Sequence, residues 1–356
     1  FVALESRDTG KPLALCRDIE IPRAVANLRF FAAAARTFGS ESHHGEAGLN
    51  LVLRPPLGVV ATISPWNLPL YLFTWKLAPA LAAGCTVVAK PSEVTPATAT
   101  AFAQLATRVG LPKGVLNVVH GEGAAIGEAL VRHAAVKAVS FTGSTAVGRR
   151  IGAICGEQLK KVSLELGGKN ATIAFEDVEP REAVALVLRA AFQNAGQICL
   201  CGSRLLVPRS TLGDWRDALR AAVPAWTAGP PLDGASRVGP LASATQAAKV
   251  RGYLDLAASE GGSVLAQGAV LASADGGGWW QAPTVIEGLG IGSRCATEEI
   301  FGPVLTLHAF EDEAEALAMA NATPYGLSAT VLTHDLARAH RVAAALDVGL
   351  VWINTW

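Results

Sequence analysis

No charge of one sign prevails in this sequence. Thirty lysines and arginines face thirty aspartates and glutamates, so no net field draws in nucleic acid or an anionic membrane, and no dense basic block stands out. Cysteine is scarce. Cys16, Cys85, Cys155, Cys199, Cys201 and Cys295 are too few and too scattered for a disulfide framework in 356 residues. None forms a C-x-x-C pair, and Cys199-x-Cys201 is tighter than a zinc knuckle, so no metal site is expected. The longest apolar stretches, such as Leu77 to Ala89, fall short of the roughly 20 residues a membrane span needs. No secretory leader is visible. These absences favour a cytoplasmic, reducing setting and a small-molecule partner, with no nucleic acid and no membrane.

Apolar bulk is abundant. Hydrophobic residues make up 51% and charged residues 17%, enough for a large core, and the length favours two domains. Strand-like and helix-like segments alternate, which predicts an α/β fold with a parallel sheet. The expected elements begin with a strand over Leu57–Ile63, a helix over Trp75–Ala83 and a strand over Thr86–Ala89. A helix follows with Thr95 as N-cap, Pro96 at the first helical position and Gly110 after the last turn. Strands at Val115–Val119 and Lys137–Phe141 precede helices near Ala124–His133 and Thr145–Cys155. Residues 37–55 break the rhythm and read as a projecting β-hairpin, a candidate subunit contact. Beyond Lys161 come a strand at Val162–Leu166, a helix at Pro180–Gln193, a strand at Ser203–Val207 and a helix at Ser243–Glu260. Gly268–Gly278 reads as a surface loop. Phe1 is not an initiator and the chain stops directly after a strand-like Gly349–Ile353, so the sequence reads as a fragment.

Five segments carry chemistry. In Phe192-Gln-Asn-Ala-Gly-Gln-Ile-Cys199, a cysteine just past a helix ending in Ala-Gly-Gln sits at a sharp turn, where close amides lower a thiol pKa. Taken alone, a cysteine beside Ile and Leu is more often an inert buried thiol. In Lys161-Val-Ser-Leu-Glu-Leu-Gly-Gly-Lys169, a carboxylate between leucines is costly to bury, so Glu165 is expected to be partly protonated or to face a cavity. Either suits a general base; the alternative is a strand turning Ser163, Glu165 and Gly167 to solvent. Ile63-Ser-Pro-Trp-Asn-Leu-Pro69 sets Asn67, a neutral donor suited to an oxyanion, on a stiff loop at a strand's carboxyl end. A structural turn is the bland alternative. Lys90-Pro-Ser-Glu93 offers groups for ribose hydroxyls. Gly143-Ser-Thr-Ala-Val-Gly148 has the shape of a dinucleotide fingerprint with Thr145 in place of the middle glycine, and Gly121–Gly127 is its rival. Glu298-Glu-Ile-Phe-Gly-Pro303 has no unique physical reading.

In this order, the five segments closely resemble the aldehyde dehydrogenase superfamily, and the resemblance runs from end to end. It implies that fold: a Rossmann-type cofactor domain (1–36 and 56–167, its N-terminal part missing), the hairpin 37–55 for oligomerisation, and an α/β catalytic domain (168–356, its C-terminal part missing). It implies Cys199 as nucleophile, Glu165 as general base, and Asn67 with the Cys199 amide as oxyanion hole. Lys90 and Glu93 would hold the adenosine ribose, Ser144 the pyrophosphate and Glu299 the nicotinamide ribose, with Phe301 nearby. Ser64, Trp66, Lys76, Ser92, Gly143, Leu166 and Gly167 match further cofactor positions. A carboxylate at Glu93 accepts from a ribose diol but repels a 2′-phosphate, so the cofactor expected is NAD. Asp8–Pro12, Asp18–Arg23, Phe30-Phe31, Ser64–Tyr71 and Ile198–Cys201 resemble the branch that oxidises 2-aminomuconic and 2-hydroxymuconic semialdehydes. Arg17 would grip the substrate carboxylate. The parent is expected to be a homo-dimer or homo-tetramer. The rival readings are acyl transfer to coenzyme A, against which Glu165 argues, and a non-catalytic truncated relative.

Overall fold

The computed structural model describes residues 1–271 and 278–356. The chain divides into two compact units, one of residues 1–9 and 13–166, the other of 10–12 and 167–356.

After its N-terminal helices the first unit carries a hairpin, β1 (Ser42–Gly45) and β2 (Gly48–Leu51), paired antiparallel and exposed throughout. Its sheet comprises β3 (Val59–Ile63), β4 (Thr86–Lys90), β5 (Leu116–Val118), β6 (Val136–Thr142) and β7 (Lys161–Glu165), all parallel, in the order β5-β4-β3-β6-β7. Central β3 is buried along nearly its whole length, as a parallel strand covered on both faces must be. Ala61, Ile63, Val139 and Phe141 pack with Ile151 and Ile154, whereas Val87 and Ala89 pack with Leu70, Phe73 and Leu77.

Two boundaries depart from the sequence reading. The expected Trp75–Ala83 helix runs Pro69–Ala82, because Pro69 presets φ for a first turn. Thr95 is not an N-cap. The helix Ala97–Arg108 has Pro96 at that position, while the Thr95 hydroxyl donates to the Trp66 carbonyl (3.1 Å). The capping acceptors come instead from the N-terminal helix Val2–Thr9. Asp8 accepts from the Ala97 amide (2.9 Å), and Glu5 accepts from the Leu70 amide (3.2 Å). One short helix thus supplies carboxylates to two helix N-termini, where the orphan amides and the dipole favour negative charge.

The second unit holds a sheet of β8 (Ala171–Ala174), β9 (Arg204–Pro208), β10 (Ser263–Gln267), β11 (Thr284–Glu287), β12 (Val304–Phe310), β13 (Ser328–Leu332) and β14 (Leu350–Ile353), ordered β10-β11-β12-β9-β8-β13-β14. Every pairing is parallel except β10 with β11. Trp215, Leu188 and Leu219 anchor one hydrophobic cluster, and Phe175, Phe310 and Val342 another. Of the glycine-rich stretch 268–278, residues 272–277 lie outside the described residues.

This second core also encloses two cations. Arg204 donates to the carbonyls of Lys169 (3.0 Å), Met319 (2.7 Å) and Ala320 (2.7 Å), the last two at the carboxyl end of helix Glu313–Asn321, where a cation complements the dipole. Burial still draws its pKa down to about 10. Lys169 is fully buried and its ammonium has no hydrogen-bond partner in the described structure. Burial, and after it the Arg204 charge, lowers its pKa from 10.5 to about 7. The folded state therefore binds this proton less tightly than the unfolded chain does. Stability conferred by the neutral amine is complete above about 10.5 and is lost as pH falls towards about 7. A Lys169→Met variant is expected to gain stability over the parent as pH falls through that window, read by urea unfolding at several pH values. A parallel pH dependence in the two proteins would refute the buried titration.

Candidate active site

In the first unit, the parallel register lines the expected cofactor residues along one edge of the sheet. Ile63 pairs with Lys90 on one side and Phe141 on the other, and Thr142 pairs with Glu165. The Ser64 amide donates to the Lys90 carbonyl (3.1 Å) and the Gly143 amide to the Glu165 carbonyl (3.1 Å). Ser64, Lys90, Gly143 and Glu165 therefore all stand at strand carboxyl ends. The sheet order reverses between β3 and β6, and the outer edge at such a switch point is where open α/β sheets take ligands.

Individual side chains follow from this frame. Ser64, Asn67, Lys76, Lys90 and Ser92 are buried, and Trp66 is half-buried. Lys76, on helix Pro69–Ala82, donates to the Ser140 hydroxyl (3.3 Å). Lys90 donates to the Pro91 carbonyl (3.1 Å) and to Glu93 (3.0 Å), and the Ser92 hydroxyl accepts from the Val94 amide (3.2 Å). For Glu93, burial pushes the pKa up. Hydrogen bonds from its own amide, from Lys90 and from the Gly123 amide outweigh this and hold it below the usual value. Gly123 belongs to the rival glycine turn, so that turn is engaged in fixing Glu93. In Gly143–Gly148, Ser144 caps helix Thr145–Glu157 by accepting from the Val147 amide, and a Cβ on Gly148 would collide with Leu166. The last glycine of the fingerprint thus allows close helix–strand packing.

Two candidate residues of this unit lie at the surface. Glu165 is exposed, not buried between its leucines. The reason is that β7 is an edge strand, and Leu164 and Leu166 alone turn towards the Val139 and Ile151 cluster. Arg17 is also exposed and already makes a bidentate pair with its neighbour Asp18 (2.7 and 2.9 Å). With Arg29 it lines a shallow surface groove of about 520 Å³.

In the second unit, the helix before the nucleophile candidate ends at Phe192, earlier than the expected Ala-Gly-Gln. Asn194, Ala195 and Gly196 then all take left-handed φ values of 55°, 54° and 68°, a run that side chains resist and surrounding structure must hold. Among the six cysteines Cys199 alone is half-exposed, and the other five are buried. Burial pushes the Cys201 thiol up to about 12, which keeps it protonated and inert. The Ile198 carbonyl accepts from the Cys201 amide (2.9 Å). Because the peptide is planar and trans, the Cys199 N–H points the opposite way within that plane.

Three distant motifs meet at bare backbone. A Cβ on Gly196 would strike the Gly302 carbonyl, one on Gly167 the Glu299 carboxylate, and one on Gly168 the Cys199 carbonyl and Asn170 amide. Glu299 accepts from the Gly168 amide (3.1 Å). Burial raises its pKa, opposed by that bond and by the charges of Lys249 and Lys169. Phe301 is itself left-handed (φ 60°), and its carbonyl accepts from Gln246 (2.7 Å). Sequence reasoning missed Asn170 and Gln246. An asparagine after Gly-Gly-Lys reads as a turn residue, and Gln246 reaches Phe301 only through tertiary packing. Among the described residues no cluster of His, Cys, Asp and Glu is arranged to hold a metal ion, and no helix is long and apolar enough to cross a membrane.

Residues 1–356 match the profile described as "Aldehyde dehydrogenase family". The chain is 46% identical over 360 residues to the 2-aminomuconic semialdehyde dehydrogenase of Mus musculus, covering 99% of this chain and 74% of that protein. It is 42% identical over 364 residues to the 2-hydroxymuconic semialdehyde dehydrogenase of Pseudomonas sp. (strain CF600), covering 100% and 75%. Among solved structures, PnpE, known from Pseudomonas sp. WBC-3 and crystallised in complex with nicotinamide adenine dinucleotide, superposes with a TM-score of 0.96 at 43% identity, covering 100% of this chain and 73% of that one. With the profile matched from end to end and the glycine-mediated contacts among its motifs in place, this chain belongs to the aldehyde dehydrogenase family.

Proposed function

We propose that the protein oxidises an aldehyde to a carboxylic acid with NAD, using Cys199 as nucleophile, Glu165 as general base and Asn67 with the Cys199 amide as oxyanion donors. The observation that carries this reading is the contrast among the cysteines: Cys199 alone is half-exposed, on a strained turn locked against Gly168 and Gly302. The first unit supplies a fit for a dinucleotide. Its strand ends share one edge at a switch point, Glu93 is held as a carboxylate, and Gly148 lets a helix N-terminus close on the sheet. Lys90 and Glu93 would hold the adenosine ribose, Ser144 would lie by the pyrophosphate, and Glu299 would hold the nicotinamide ribose, with Phe301 beside it. An ionised Glu93 favours NAD, since a 2′-phosphate would meet like charge.

The Cys199 sulfur adds to the aldehyde carbon and the carbonyl electron pair moves to oxygen, where Asn67 and the Cys199 N–H stabilise it. Nicotinamide, held by Lys90, Glu93, Ser144 and Glu299, would supply the hydride acceptor here, and loss of hydride from that carbon would leave a thioester on Cys199. Glu165 removes a proton from water as it attacks the thioester, and the acid leaves with the thiolate restored. Exposure of Glu165 gives it access to that water. Its presence disfavours coenzyme A as the acceptor, and retention of nucleophile, base and amide disfavours a binding-only relative.

The relatives named for muconic semialdehydes support a substrate that carries a carboxylate. Arg17 would bind it by exchanging Asp18 for the substrate, within a groove that also presents Arg29. The exposed Leu49, Leu51 and Leu53 of the hairpin suit burial against a second copy of the chain, in a homo-dimer or homo-tetramer. Deleting the hairpin is then expected to lower the mass seen by light scattering.

Cys199→Ser is expected to abolish NADH production without coenzyme A present. Glu165→Gln should keep a first-turnover burst of about one equivalent while steady turnover falls about 10²- to 10⁴-fold. Hydride transfer surviving Cys199→Ser would remove the nucleophile assignment. Arg17→Ala should raise KM about 10- to 100-fold for aldehydes with a terminal carboxylate, and leave uncharged aldehydes unaffected. An equal change across both groups would take Arg17 out of the substrate site.

A further inference from the structure

The nucleophile candidate sits on backbone whose carbonyls are gripped from outside its own segment. The Asn170 amide donates to the Cys199 carbonyl (2.7 Å) and to the Cys201 carbonyl (2.9 Å). Its oxygen accepts from the Ser328 amide at the start of β13 (3.2 Å). The carbonyl between them, on Leu200, accepts from the Trp356 indole (3.1 Å), whose own carbonyl takes a bond from Arg189 (3.0 Å). Three successive carbonyls are thus held by side-chain N–H groups.

Asn170 is itself 4% exposed, and both its amide protons and its oxygen are engaged. An amide satisfied on every side in the interior has one orientation only, since reversing it would oppose carbonyl to carbonyl and N–H to N–H. The bonds to the Cys199 and Leu200 carbonyls fix the peptide planes on either side of Leu200, and the bond to the Cys201 carbonyl fixes the next. With the Ile198 carbonyl held by the Cys201 amide, this sets the direction of the Cys199 Cα–Cβ bond and of its N–H. Gly168 makes the approach feasible, because a Cβ there would collide with both the Asn170 amide and the Cys199 carbonyl.

From this geometry we propose that Asn170 is a positioning residue for Cys199: its side-chain amide clamps the loop so that the sulfur and the Cys199 N–H present together to one substrate carbonyl. The proposal rests on the reading of Cys199 as the nucleophile. Asn170 touches no reacting atom. It acts through the backbone, and it anchors the loop to β13, which is paired with β8 and β14 in the sheet.

The test uses the full chain with Asn170→Asp, which keeps the shape and removes both donors. Should the buried charge prevent folding, Asn170→Ala removes the donors without a charge. Iodoacetamide labelling of Cys199, followed by peptide mass from about pH 5 to about pH 10, reports the thiolate and its exposure directly. Folded variant is expected to label Cys199 at least about tenfold more slowly or with a displaced pH midpoint, and to show kcat about 100-fold lower, the cost of misplacement by about 1 Å. KM for NAD should stay within about twofold, because uniform cofactor binding is untouched. Folded variant that labels Cys199 at the parent's rate and pH midpoint overturns the proposal, as does a loss of turnover matched by the loss of folded protein. Cys199→Ser separates the two readings. If it retains hydride transfer, the nucleophile assignment fails. If it is inactive while the Asn170 variants behave as the parent, only the positioning role fails.

Discussion

Three glycines without a Cβ decide how the second unit is assembled. Gly167 admits the Glu299 carboxylate, Gly168 admits the Cys199 carbonyl, and Gly196 admits the Gly302 carbonyl. Any side chain at these points would force apart segments that lie up to 132 positions from each other in the chain (Glu299 less Gly167). Backbone-to-backbone approach at this range leaves little freedom. The left-handed run at Asn194–Gly196 and the left-handed Phe301 are conformations the chain takes only because this packing over-determines them. The stiffness of the Cys199 turn is therefore a property of the contact among motifs, not of the turn's own sequence.

Burial of charge gives the same region its electrostatic character. Lys169, Arg204 and Glu299 all have pKa values displaced towards their neutral forms, chiefly by desolvation. Arg204 offsets this with three carbonyl acceptors, and Glu299 with the Gly168 amide. Lys169 has no hydrogen-bond acceptor among the described residues, and desolvation lowers its pKa to about 7. Cys201 and Cys295 are driven up to about 12 and about 11 by the same desolvation. Cys199, by contrast, is the one half-exposed thiol of the six, which is why the proposed nucleophile falls there.

The first unit works by a different principle. Parallel pairing in the order β5-β4-β3-β6-β7 delivers every strand's carboxyl end to one side, so residues from four separate segments share an edge, joined there by the Ser64–Lys90 and Gly143–Glu165 backbone bonds. What fixes the loops at that edge comes from the chain's beginning: Glu5 and Asp8 hold the N-termini of the helices that follow β3 and β4. Neither carboxylate lies in the five chemical segments, yet Glu5 sets where the segment of Trp66 and Asn67 enters its helix.

Much of this was legible in the linear order of residues. The run Val59–Ile63, the alternation into helices, the hairpin around Gly45–Gly48 and the five chemical segments follow from local pattern, because apolar periodicity and turn residues act over a few positions. Strands β8 and β10 to β13 escaped. Segments such as Ala171–Ala174 are short, uniformly buried, and show no alternation that would mark them. Thr95 has the composition of an N-cap, but Asp8 fills that role from 89 residues away. Glu165 between two leucines looks buried, and only its place on an edge strand exposes it. The sequence by itself determined which residue types were available for the chemistry. The tertiary structure decided which cysteine is accessible, which carboxylates remain charged and which amides hold the Cys199 loop, because burial and hydrogen-bond partnership depend on segments that no local pattern can see.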